Sequence, residues 1–83
     1  MADNTDEMIA GIRDILAQHG RMATDKLKTE DDLYTAGLTS LATVGIMLAL
    51  EDRFDVEFPE RMLGRATFRS IAAIAEAVTE LKG

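Results

Sequence analysis

With 83 residues, 47% of them hydrophobic, the chain has material for one small domain around one core, and too much apolar content for a disordered tail. It has no cysteine, which excludes disulfides, thiolate metal sites and a cysteine nucleophile. A net charge of −6 argues against nucleic acid, whose phosphates attract basic surfaces.

The charge is unevenly spread. Residues 1–32 and 33–60 each carry net −4, while residues 61–83 carry net +2. A partner with a basic patch would therefore be steered to the first two-thirds of the chain. No apolar run approaches the roughly 20 residues that a membrane span needs. The stretch Met1 to Glu7 is acidic and polar, the wrong chemistry for a signal peptide. The expectation is a monomeric single domain over 1–83, working in the cytoplasm.

Asn4 followed by Glu7 reads as a variant capping box that opens a helix. Met8, Ile9, Ile12, Ile15 and Leu16 then recur at helical spacing, which predicts a first helix over about 5–18. Gly20 suits the left-handed residue that ends it. His19 lies in the last turn, where a contact with the helix dipole explains it better than a functional role. From Arg21 to Thr39 no long periodic segment occurs, and Leu27, Leu33, Tyr34 and Leu38 are the residues able to pin so long a connection to the core. Glu30-Asp31-Asp32 lacks the alternating oxygen ligands and central glycine of a calcium loop, so a solvated acidic turn is predicted there and no metal site.

Thr39 can cap a second helix that runs to Arg53 or Phe54. This helix carries two apolar stripes. Leu41, Val44 and Leu48 form one; Thr43, Ile46, Met47, Leu50 and Phe54 form the other. At about 100° per residue they lie roughly 140° apart. A small domain has one core to face, so the stripe of Leu41, Val44 and Leu48 is left to meet something else. Asp55 to Phe58 is a linker, in which the alternating Val56 and Phe58 are too few to make a strand. Pro59 suits the start of a short helix over about 60–64, ended by Gly64. Thr67 is placed to cap a last helix, with Phe68, Ile71, Ile74, Ala75, Val78 and Leu81 as its core stripe. The fold class is all-α: three main helices, a short third one and a long first loop.

Ser40 stands at the mouth of the second helix. A serine nucleophile needs a base and an orienting acid. The single histidine, His19, ends another helix, and there is no G-x-S-x-G elbow. The chain therefore does not read as an enzyme. Taken alone, Ser40 is an ordinary helix-start residue. A phosphodiester on its hydroxyl, however, would meet the free N–H groups and positive dipole end of the helix, beside the uncommitted stripe.

Asp32-Leu33, Gly37-Leu-Thr-Ser-Leu41 and then Ala49-Leu-Glu-Asp-Arg-Phe-Asp-Val-Glu-Phe-Pro59 resemble the acyl carrier protein family, over nearly the whole chain. The resemblance implies a small four-helix bundle whose serine, matched by Ser40, bears a 4′-phosphopantetheine arm. A phosphopantetheinyl transferase would supply the arm from coenzyme A. Its thiol would hold an acyl or aminoacyl cargo as a thioester, delivered by a loading ligase and presented to acyl-transferring enzymes, with no catalysis by the carrier itself. Docking of these partners falls to Thr39, Leu41, Val44 and Leu48, with Glu51 and Asp52 to steer. The alternative is an unmodified helical interaction module of the same fold.

The chain departs from the family pattern at several positions. Thr39 replaces the usual aspartate before the serine. Ala42 and Gly45 stand where fatty-acid carriers usually have acids. Phe58 and Leu63 are bulkier than the usual residues and, with Met62, would fill space that a long acyl chain needs, so short acyl or amino-acid cargo is predicted. Arg61, Arg65 and Arg69 span a helix boundary, and their spacing predicts a solvated surface rather than one basic face. Together these departures resemble a specialised carrier rather than the general carrier of fatty-acid synthesis.

Overall fold

Three α-helices and one 3₁₀ turn make up the regular structure of the computed structural model, which describes the backbone from residue 4 to 83 and side chains from residue 6 onward. They are α1 (Asn4–His19), α2 (Ser40–Phe54), the 3₁₀ turn (Glu60–Met62) and α3 (Ile71–Lys82). No strand occurs among the described residues. The Asn4 side chain, and with it the capping box, lies outside them.

The apolar face of α1 does what its spacing requires. Ile12, Ile15 and Leu16 are buried, with Met8 and Ile9 partly buried against them. The end of the helix differs from expectation by one residue. The left-handed position is Arg21, at φ 55°, and not Gly20. Gly20 continues the turn, its N–H donating to the Leu16 carbonyl at 2.9 Å. A Cβ there would lie 2.8 Å from that carbonyl and 3.3 Å from Ile46 Cδ1. The glycine thus spares a clash with the last turn of its own helix, and the chain reverses after it.

The long connection is pinned where the sequence places apolar residues. Leu33 and Leu38 are buried, Leu27 and Tyr34 partly so, and Met22 is buried as well. Polar ties add to this. Arg13 Nη1 donates to the Thr24 carbonyl at 2.7 Å, the Leu33 N–H to the Arg69 carbonyl at 2.7 Å, and the Ala72 N–H to the Thr29 carbonyl at 2.9 Å. In the acidic turn, Asp31 accepts from the Lys28 N–H and Asp32 from the N–H groups of Tyr34 and Thr35. Both carboxylates serve the local backbone.

Two elements after α2 differ from the sequence reading. The short helix expected over 60–64 is a single 3₁₀ turn, with the Met62 N–H on the Pro59 carbonyl and the Leu63 N–H on that of Glu60. Between Pro59 and Gly64 there are too few residues to repay α-helix nucleation. The last helix starts later than Thr67. Its cap is Ser70, whose Oγ accepts from the Ala73 N–H at 3.0 Å and which is itself buried. Residues 64–69 form successive turns instead. This puts the Phe68 ring in the core, 5.6 Å from that of Phe58, and frees the Arg69 carbonyl for Leu33. The centre of the core is Ile12, Leu16, Leu33, Ile46, Leu50, Phe68, Ile71, Ile74 and Val78.

Candidate functional site

Thr39 holds the extended conformation of a cap residue, and its Oγ1 accepts from the Ala42 N–H at 3.0 Å. The hydroxyl of Thr39 is therefore committed to the helix. Ser40, one residue on, is exposed, and its Oγ has no hydrogen-bond partner among the described residues. The N–H groups of Ser40 and Leu41 likewise have no acceptor among them. No acidic residue occupies the first turn of α2. An anion attached to Ser40 would be favoured here by about 0.3–1 kcal/mol from the helix dipole, without an acid to oppose it. The site fits a phosphodiester-linked group on Ser40.

The two stripes of α2 separate as their spacing predicts. Ile46 and Leu50 are fully buried, whereas Leu41, Val44 and Leu48 are 85%, 53% and 56% exposed. Gly45 lies between these exposed residues, and a Cβ there would meet nothing within 4 Å. Asp52 is exposed. Glu51 is not available in the same way. It is partly buried, and its carboxylate accepts the Phe58 N–H at 2.9 Å. One of its oxygens thus holds the linker after α2. His19 is exposed at the end of α1, on the side of a groove shared with Gly45 and Leu48.

Ser40 borders a cavity of about 290 Å³ between α2 and the turns after the 3₁₀ segment. Its walls are mostly apolar: Val44, Met47, Leu63 and Phe68, with Tyr34 and Thr43. Leu63 is 46% exposed and forms part of the rim. It does not fill the interior as its bulk suggested, while Phe58 and Met62 do turn inward and are buried. The three arginines have different surroundings. Arg61 pairs with Glu80 at 3.6 Å, Arg69 is exposed, and the Arg65 guanidinium lies over the Tyr34 ring, 3.9 Å from its centre. Tyr34 and Arg65 thus join the site, though they are far apart in the chain and the sequence offered no signal that pairs them.

The model of the phosphopantetheine attachment site family matches residues 10–78. The chain belongs to this family. An aminoacyl carrier protein of Agrobacterium fabrum is 49% identical over 73 residues, which cover 86% of this chain and 88% of that one. A D-alanyl carrier protein of Streptococcus sanguinis is 41% identical over 54 residues, 64% of this chain and 68% of that one. Among solved structures, a chain in the complex of an engineered Bradyrhizobium japonicum glycine:[carrier protein] ligase with a carrier protein from Agrobacterium tumefaciens and ATP matches with a TM-score of 0.83. The identity there is 48%, over 88% of this chain and 97% of that chain. This protein is a specialised carrier, with the helical fold of its relatives. No described helix of the carrier is long and apolar enough to cross a membrane.

Proposed function

We propose that the carrier bears 4′-phosphopantetheine on Ser40 and presents an aminoacyl thioester to its partners. The observation that carries this reading is the free, exposed Ser40 hydroxyl at the mouth of α2, beside the unpartnered stripe of Leu41, Val44 and Leu48. In the attachment step a transferase removes the hydroxyl proton, Ser40 Oγ bonds to the pantetheine phosphorus of coenzyme A, and adenosine 3′,5′-bisphosphate leaves. The arm then supplies the thiol that the cysteine-free chain lacks.

The carrier activates no cargo itself and works as one domain over 1–83, a monomer in the cytoplasm where coenzyme A is present. Its loading partner is an amino-acid-activating ligase. The aminoacyl and D-alanyl carriers among its relatives support this, as does the ligase that accompanies the solved relative. Small cargo is further supported by Phe58 and Met62, which turn inward and fill the interior. Docking rests on Leu41, Val44 and Leu48, with Thr39 at the edge and the charges of Glu51 and Asp52 to steer a basic partner.

The test is intact-protein mass spectrometry after incubation with coenzyme A and a broad-specificity transferase. Wild type is expected to gain the mass of one phosphopantetheine and Ser40→Ala none. No gain on wild type would favour an unmodified interaction module, and equal gain on the alanine variant would move the site elsewhere.

A further inference from the structure

The cavity beside Ser40 contains one charged residue, Arg65, and no acid. Arg65 makes no ion pair among the described residues, in contrast to Arg53 with Asp14 and Arg61 with Glu80. Its guanidinium is instead held on the Tyr34 ring at 3.9 Å, a cation–π arrangement that keeps the charge at the cavity wall. We propose that this cavity sorts cargo by charge: a neutral acyl end on the Ser40 arm folds in, while an ammonium-bearing aminoacyl end is kept out in solvent by Arg65. The inference rests on the reading that Ser40 carries the arm.

Three physical reasons converge. An ammonium entering the cavity meets a like charge and no carboxylate. The aromatic face that could otherwise receive it, that of Tyr34, is already covered by the guanidinium. Apart from the hydroxyls of Ser40 and Thr43, the remaining side chains of the wall, Val44, Met47, Leu63 and Phe68, are apolar, so most of the ammonium's lost hydration is not replaced. A neutral chain end of the same size meets none of these costs and covers apolar wall. An amino acid carried this way stays accessible to whatever enzyme takes it.

Glycyl and propionyl thioesters make a charge-only comparison, because they have the same number of heavy atoms and differ in an ammonium against a methyl group. Both can be installed on wild type by a transferase from the corresponding coenzyme A thioesters, with intact mass confirming each species. Melting temperatures are then compared with the unloaded arm-bearing protein. Propionyl is expected to raise the melting temperature by about 3 °C or more, and glycyl to leave it unchanged. In Arg65→Met the Tyr34 face is freed, and the glycyl form is expected to gain at least half as much as the propionyl form. Arg65→Lys keeps a positive charge and should restore the wild-type difference. Arg65 is exposed, so both variants should fold.

Equal gains for glycyl and propionyl on wild type would overturn the proposal, as would no gain for either. A glycyl–propionyl difference that persists unchanged in Arg65→Met would also overturn it, because desolvation of the ammonium alone would then account for the exclusion. A chain that accepts no arm fails the carrier reading and takes this inference with it. A chain that accepts the arm and shows no charge discrimination fails this inference alone.

Discussion

Removal of the Glu51 carboxylate should loosen the chain between α2 and the 3₁₀ turn. Its Oε2 accepts the Phe58 N–H at 2.9 Å, and the Glu51 carbonyl accepts from Asp55 and Val56, so one residue holds three of the four positions of the linker. Phe58 is buried against Phe68, which ties this linker to the core. A hydrogen bond to a charged acceptor is worth about 1.5–3 kcal/mol net, and a partly buried site falls at the lower end. Alanine returns a few tenths of that through its better helix propensity. Glu51→Ala is therefore expected to cost about 1.5 kcal/mol, which for a domain of this size corresponds to a melting temperature lower by roughly 6–12 °C. Glu51→Gln keeps a neutral acceptor and should cost roughly half as much. Asp52→Asn changes the same charge on an exposed neighbour and should stay within about 0.5 kcal/mol. Urea unfolding followed by far-ultraviolet circular dichroism measures all three, since the chain has no tryptophan. If Glu51→Ala matches Asp52→Asn within about 0.5 kcal/mol, the carboxylate does not hold the linker.

The exposed stripe of α2 makes a second expectation. Val44→Asp should change stability by no more than about 0.5 kcal/mol yet weaken loading by the ligase, whereas Leu50→Asp, which buries a charge, should unfold the domain. A large loss of melting temperature in Val44→Asp would place Val44 in the core. Gly45→Ala should stabilise the protein by up to about 1 kcal/mol, because the added methyl meets nothing within 4 Å and the helix loses a flexible residue. A lower melting temperature in that variant would mean that the methyl is not in open space.

What could be read from the sequence is what depends on near neighbours in the chain. The separation of α2 into a buried and an exposed stripe follows from residues three and four apart, and burial of Ile46 and Leu50 against exposure of Leu41, Val44 and Leu48 matches it. The Thr39 cap, which leaves the Ser40 hydroxyl free, is settled within one helical turn. Leu33 and Leu38 are buried because a long polar connection offers few other residues able to anchor it.

Tertiary structure decided the features that depend on residues distant in the chain. Both Thr67 and Ser70 can cap a helix. Ser70 does so because Phe68 must reach Phe58 in the core and the Arg69 carbonyl must reach Leu33. Glu51 has the charge of a docking residue, but the chain after α2 folds back and brings the Phe58 N–H to its carboxylate. Leu63 has the bulk of a core residue, yet the 3₁₀ turn directs Met62 inward and leaves Leu63 on the rim of the cavity. Arg65 could have been one more solvated charge. Its place beside Ser40 is set by Tyr34, a residue of the first loop, because the cation–π contact forms only once that loop has packed against the turns before α3.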